Sequence, residues 1–129
     1  MADNVTVVGS LILSTFEGNT RTFKFLLRQK GTRQPFDASG ADKFLFECER
    51  QAVESEDPFE PIEILPTDVG ADFANGIVPV TVSPDAPSPI TEEVGSYLFS
   101  LTMVTGTAEV TIARGQLEVG ERPGYPPPP

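Results

Sequence analysis

The sequence has no histidine and no tryptophan, a single cysteine, and only nine cations against nineteen anions. Each shortage removes a class of chemistry. Without histidine the chain lacks the commonest general base and the commonest metal ligand. Without tryptophan it lacks the broadest ring for stacking on sugars. A net charge of -10 and an isoelectric point near 4.3 argue against a nucleic-acid partner, whose affinity comes from lysine and arginine neutralising phosphates. A basic protein or a cation stays open as a partner. The lone Cys48 allows no internal disulfide, which fits a chain made and kept in a reducing cytosol. No run approaches the roughly twenty apolar residues of a membrane helix. The start, Met1-Ala2-Asp3-Asn4, has no positive n-region and leads into alternating apolar residues, so neither a secretion signal nor a membrane span is expected. Asn4-Val5-Thr6 fits the glycosylation acceptor pattern but reads here as strand sequence.

What is present is a chain of 129 residues, enough for one domain with a core of its own. Thirteen prolines and eleven glycines interrupt it so often that no long helical period survives, and the remaining segments alternate like strands. Thr22 to Arg28 places Phe23, Phe25 and Leu27 on one face and Thr22, Lys24 and Arg28 on the other. Asp42 to Arg50 repeats this with Phe44, Phe46 and Cys48 inward. Gly76 to Ser83 turns Val78, Val80 and Val82 inward, and because Pro79 cannot donate to a ladder this strand is expected at a sheet edge. Ser96 to Val104, with Tyr97, Phe99, Leu101 and Met103 on one face, and Ala108 to Val119 should form an antiparallel hairpin around Thr105-Gly106-Thr107. The apolar phase changes from even Val110 and Ile112 to odd Leu117 and Val119, with Gly115 as the expected bulge. Val5 to Leu13 supplies a first strand kinked at Gly9-Ser10. The count is six strands, or seven with Ile62 to Leu65, which predicts an all-β antiparallel immunoglobulin-like sandwich over residues 1–120, a small closed barrel being the alternative.

Seven of the nine cations lie between residues 21 and 50, and nine of the nineteen anions between 47 and 72. Such a division could give one molecule a mixed side and a strongly negative side and so steer a neighbour. The long connection from Gln51 to Asn75 is barred from helix by Pro58, Pro61 and Pro66, yet Phe59, Ile62, Ile64, Leu65 and Phe73 make it too apolar for a linker. It is expected to pack along the sandwich or on another subunit. Residues 121–129 form a proline-rich tail, and Pro123-Gly124-Tyr125-Pro126-Pro127-Pro128-Pro129 reads as polyproline II reaching roughly 20 Å at about 3.1 Å per residue. Pro123, Tyr125, Pro126, Pro127, Pro128 and Pro129 are therefore the candidate partner-binding residues.

No catalytic, cofactor or metal site is assigned. Asp68, Asp72 and Asn75 offer oxygen ligands near Gly70 and Gly76, but their spacing misses the calcium-loop pattern and suits ordinary turns, so a cation there stays an open question. Glu92 and Glu93, taken as strand neighbours, would face opposite ways and cannot act as paired carboxylates. Gly95-Ser96-Tyr97 lacks the second glycine of a nucleophile elbow, and no histidine exists to activate its serine. Cys48, in phase with Phe44 and Phe46, reads as a core thiol.

The central elements run from the Phe- and Leu-rich strand Phe23 to Arg28, through a turn carrying Gly31, Pro35, Asp37 and Gly40, into Phe44-Leu45-Phe46-Glu47. Gly76-Ile77-Val78, Gly95-Ser96-Tyr97-Leu98-Phe99 and the closing Gly115-Gln116-Leu117 follow. This order resembles the immunoglobulin-like N-terminal domain of phage upper-baseplate proteins and similar small virion domains, over about residues 20 to 119. The resemblance implies a non-enzymatic structural protein, without cofactor, that docks onto capsid, tail or baseplate subunits in a virion after synthesis in the host cytoplasm. Its partners would be other virion proteins, and it would occur as a homo-oligomer or in many copies, away from nucleic acid and membrane. No fibre or receptor-binding region follows within Pro129, which favours a decoration or connector role over fibre attachment. The other reading is a carbohydrate- or host-surface-binding module using Tyr97, Tyr125 and exposed carboxylates.

Overall fold

In the computed structural model, which describes residues 5–8, 11–50 and 59–124, the chain is an immunoglobulin-like β-sandwich of eight strands. The strands are β1 (Val5–Val8), β2 (Ile12–Phe16), β3 (Arg21–Gln29), β4 (Lys43–Arg50), β5 (Ile62–Ile64), β6 (Ile77–Val82), β7 (Gly95–Thr105) and β8 (Ala108–Gly120). Two sheets face each other, one ordered β1-β3-β6 and the other β2-β8-β7-β4-β5. Among the described residues the only helices are two single 3-10 turns, Phe73–Asn75 and Ile90–Glu92.

Period-two alternation places the core. Phe23, Phe25 and Leu27 from β3 and Val78, Val80 and Val82 from β6 meet Phe44, Phe46 and Cys48 from β4 and Tyr97, Phe99 and Leu101 from β7. The expected edge placement holds, since among the described strands β6 pairs with β3 alone and Pro79 lies opposite Lys24. Pro79 is nevertheless buried. The connection before β6 comes alongside it there, and a Cβ built on Gly70 would stand 3.9 Å from the proline ring.

Three expectations need correction. The first strand is two: β1 pairs with β3 in one sheet, and β2 pairs with β8 in the other. Apolar Val5, Val7, Leu11 and Leu13 share one phase although the chain changes sheets between them, and the expected kink at Gly9-Ser10 lies outside the described residues. The sandwich is not wholly antiparallel, because β2 runs parallel to β8, with Ile12 opposite Gln116 and Phe16 opposite Gly120. The third concerns the bulge in β8. Leu101 pairs with Ala113 and Thr102 with Thr111, so Ile112 is the extra residue and the phase change happens there.

Gly115 is glycine for another reason. The Leu11 carbonyl accepts the Gln116 N–H at 2.9 Å, bringing the backbone beside β2 so close that a Cβ on Gly115 would lie 2.1 Å from that oxygen. It would also lie 2.8 Å from two atoms of the Phe99 ring. Gly76 is constrained too, by a φ of 72° and by the Leu27 and Phe36 carbonyl oxygens at 2.5 and 2.9 Å from a notional Cβ.

The interior follows the immunoglobulin plan with aromatic rings where antibody domains place a disulfide and a tryptophan. The Tyr97 hydroxyl donates to the Glu93 carbonyl at 2.8 Å, the corner tyrosine that in those domains precedes the second cysteine by two residues. Two residues on stands Phe99. Phe25 faces it from the opposite sheet at 5.8 Å between centroids, and Phe46 stacks on it at 5.1 Å. A chain with one cysteine thus ties its sheets together with three phenylalanines, each pair contributing about 0.5–1.5 kcal/mol beyond its burial.

Of the long connection, residues 51–58 lie outside the description, while Phe59, Ile62, Ile64 and Phe73 pack on the core as expected. Phe59 lies 5.8 Å from Tyr97 and Phe73 meets Phe44 edge-on at 4.9 Å. Leu65 instead stays exposed.

Candidate docking surfaces

Outward-facing residues of β4, β7 and β8 form regular rows on the outer face of the larger sheet. Glu47 lies opposite Ser100, which lies opposite Arg114. In the next row Glu49, Leu98 and Gln116 stand side by side. Ser100 is short and the residues around it are long, so the face is hollowed into a groove of about 650 Å³ that these six residues line together with Thr111. Leu98 is 38% exposed at its centre. Among the described residues no hydrogen bond or ion pair engages the side chains of Glu47, Glu49 or Arg114. The β4 cations are occupied: Lys43 pairs with Glu63 at 3.2 Å and Arg50 with Glu93 at 2.6 Å.

That pairing revises the expected charge division. The cation-rich stretch from 21 to 50 is split between the sheets, since β3 carries Lys24 and Arg28 in the smaller one and β4 carries Lys43 and Arg50 in the larger. Among the described residues the cations of this stretch therefore do not gather on one side.

The root of the tail is the second surface. Beyond Gly120 the Arg122 N–H donates to Glu17 Oε1 at 3.3 Å, and Arg122 Nη1 donates to Asn19 Oδ1 at 3.2 Å. The chain leaving β8 is thereby fastened to the turn between β2 and β3. Pro123 follows, exposed. Tyr125, Pro126, Pro127, Pro128 and Pro129 lie outside the described residues.

The remaining sequence candidates serve the fold. Asp68 Oδ2 accepts the Leu65 N–H and Asp72 Oδ2 accepts the Asn75 amide, both at 2.9 Å, so these carboxylates close turns. Among the described residues no group of three or more His, Cys, Asp or Glu side chains could hold a metal ion. Glu92 ends a 3-10 turn and is not in a strand as the sequence suggested, while Glu93 braces Arg50 and the corner tyrosine. The Ser96 hydroxyl donates to Glu118 Oε2 at 2.6 Å. Cys48 is buried, and burial foremost, with the Glu49 charge beside it, pushes its thiol up to about 12. Tyr97, considered for glycan contact, is 1% exposed and cannot reach a ligand. Asp37 in the turn before β4 accepts the Ser39 N–H at 2.9 Å. Hydrogen bonding from the Ser39 hydroxyl, and then from that N–H, holds its carboxyl below the usual carboxylate range. Among the described residues no helix is long and apolar enough to cross a membrane.

Sequence reading missed the groove because its residues are far apart in the chain and are aligned only by strand register. One signal was visible: Leu98 is apolar in the outward phase of β7.

No family model matches the chain, and no curated protein does. Among solved structures, that of murine CRIg is similar at 8% identity and a TM-score of 0.42, covering 92% of this chain and 98% of that one.

Proposed function

We propose that this chain is a non-enzymatic structural protein of a bacteriophage virion, which attaches through its proline-rich tail to a capsid, tail or baseplate subunit. The observation that carries this reading is the fastened root of the tail. Hydrogen bonds from Arg122 to Glu17 and Asn19 hold the chain just after β8 against the β2–β3 turn, and Pro123 beside them is exposed. A polyproline sequence favours one extended conformation, so docking Tyr125 to Pro129 on a neighbour would cost little conformational entropy. The turn signature at Gly31, Pro35, Asp37 and Gly40 supplies the virion context. Mass spectrometry of purified particles tests it. The protein should be present in a fixed stoichiometry, and particles that lack it would end the proposal.

The groove on the larger sheet favours a second reading, a module that binds carbohydrate. Carboxylates, an amide and a guanidinium beside Leu98 suit a polar ligand, although no exposed aromatic ring lines the groove. Glycan-array binding that is lost on Gln116→Ala would support it, and an array without hits would leave the structural role alone.

A further inference from the structure

We propose that the outer face of β4, β7 and β8 is a self-complementary surface that pairs two copies of this chain about a two-fold axis running along β7. With β7 in the middle, Glu47 and Arg114 flank Ser100 at equal distance, roughly one strand spacing of 4.8 Å on either side. A second sheet laid face to face by rotation about β7 brings β4 of each copy over β8 of the other. Glu47 then meets Arg114 of the second copy twice over, by symmetry, and Glu49 meets Gln116. Leu98 falls on Leu98 and Ser100 on Ser100. Glu47 and Arg114, which the single chain leaves unengaged, therefore find partners of opposite sign, Glu49 finds an amide, and exposed Leu98 finds an apolar side chain.

The hollow also acquires a purpose. Two flat sheets with long charged side chains between them would be held apart, whereas the space above Ser100 accommodates a glutamate and an arginine from opposite copies. Hydroxyls of Ser100 and Thr111 and the amide of Gln116 line that space and can satisfy the remaining donors and acceptors, which a partly buried ion pair requires. Acids on β7 itself would meet their own copies across the axis and face like against like, whereas an acid on β4 and a base on β8 meet as opposites.

Size sets the strength. Three strands about 4.8 Å apart, read over four outward residues each, span roughly 350 Å² per copy, well under the ~800 Å² of an ordinary stable interface. Exposed Ile12 and Phe16 on neighbouring β2 enlarge it only at the rim. The pairing is accordingly weak and reversible, of a kind that counts when copies are held close together. It does not depend on the virion reading, since it is measured on the purified chain.

Sedimentation velocity from micromolar to millimolar protein should show a reversible monomer–dimer equilibrium. Arg114→Glu sets that position against Glu47 and Glu49 of the second copy, and Glu47→Arg sets it against Arg114. Each single reversal should weaken the dimer by about tenfold or more. The chain carrying both reversals should dimerise as the parent does, because the symmetric pair is restored with its signs exchanged. All these side chains are exposed, and circular dichroism of each variant checks that the sandwich is intact. A chain monomeric at millimolar concentration, a dimer indifferent to either reversal, or a double variant that stays monomeric would each overturn the proposal.

Discussion

Gly115→Ala adds one carbon atom and should cost more than most substitutions in this protein. The added Cβ would lie 2.1 Å from the Leu11 carbonyl oxygen and 2.8 Å from the Phe99 ring, where real contacts need well over 3 Å. Phe99 has little room to withdraw, since it is buried and its ring packs on both Phe25 and Phe46. The chain before β2 must yield, and with it the hydrogen bond from Gln116 N–H to Leu11. Forcing a methyl group into a packed site costs about 1–3 kcal/mol, and a lost hydrogen bond adds about 1 kcal/mol. The expected loss is thus about 2–4 kcal/mol, a fall of about 10 °C in Tm for a domain of this size. Gly40→Ala is the matched control, because nothing lies within 4 Å of its notional Cβ and its φ is outside the left-handed region. It should be neutral, or stabilising by about 0.4–1 kcal/mol through the unfolded chain. Urea unfolding with a common m-value measures both. If Gly115→Ala stays within about 0.5 kcal/mol of the parent, β2 is not pressed against β8 as described. Equal losses at the two sites would refute the distinction between a crowded and an open glycine.

Phe25→Ala and Phe99→Ala should each lose about 3–5 kcal/mol, with the double variant short of their sum by about 0.5–1.5 kcal/mol; strict additivity in urea unfolding would show that the two rings do not act as a pair. Cys48 should resist alkylation at pH 8 until the protein is unfolded. Its folded pKa is raised to about 12, so it contributes stability that is fully present below the unfolded value of 9.0 and is lost as pH rises through that window. The slope is about 1.4 kcal/mol per pH unit, and a parent with the same slope as Cys48→Ala above pH 9 would refute it. Deleting residues 123–129 should leave Tm of the free domain within about a degree while weakening incorporation into particles about tenfold, equivalent to about 1.4 kcal/mol per docked copy. Unchanged incorporation would make the tail a mere appendage.

Most of the sandwich was legible because its core strands alternate cleanly. Phe23, Phe25 and Leu27 could face only one way, and Pro79 marked its strand as an edge before any pairing was known. What was not legible depends on contacts between distant segments. Local periodicity does not say that the chain between Val8 and Ile12 changes sheets, nor that β2 lies parallel to β8. The phase change in β8 could be read from Val110, Ile112, Leu117 and Val119, but its position could not. Gly115 drew attention as a glycine, whereas the residue that bulges is Ile112. The corner tyrosine was not legible, because the bond from Tyr97 to the Glu93 carbonyl depends on the chain bending ahead of β7. The docking face was the least legible, since Glu47, Ser100 and Arg114 become neighbours only through the register of three strands.

The most direct test of the structural role is an electron cryo-microscopy map of the assembled particle. The map should show the sandwich of β1 to β8 at a regular position, with the segment beyond Arg122 running as an extended polyproline strand into a neighbouring subunit. A particle without that sandwich, or one that holds it entirely through other surfaces while the tail touches nothing, would contradict it.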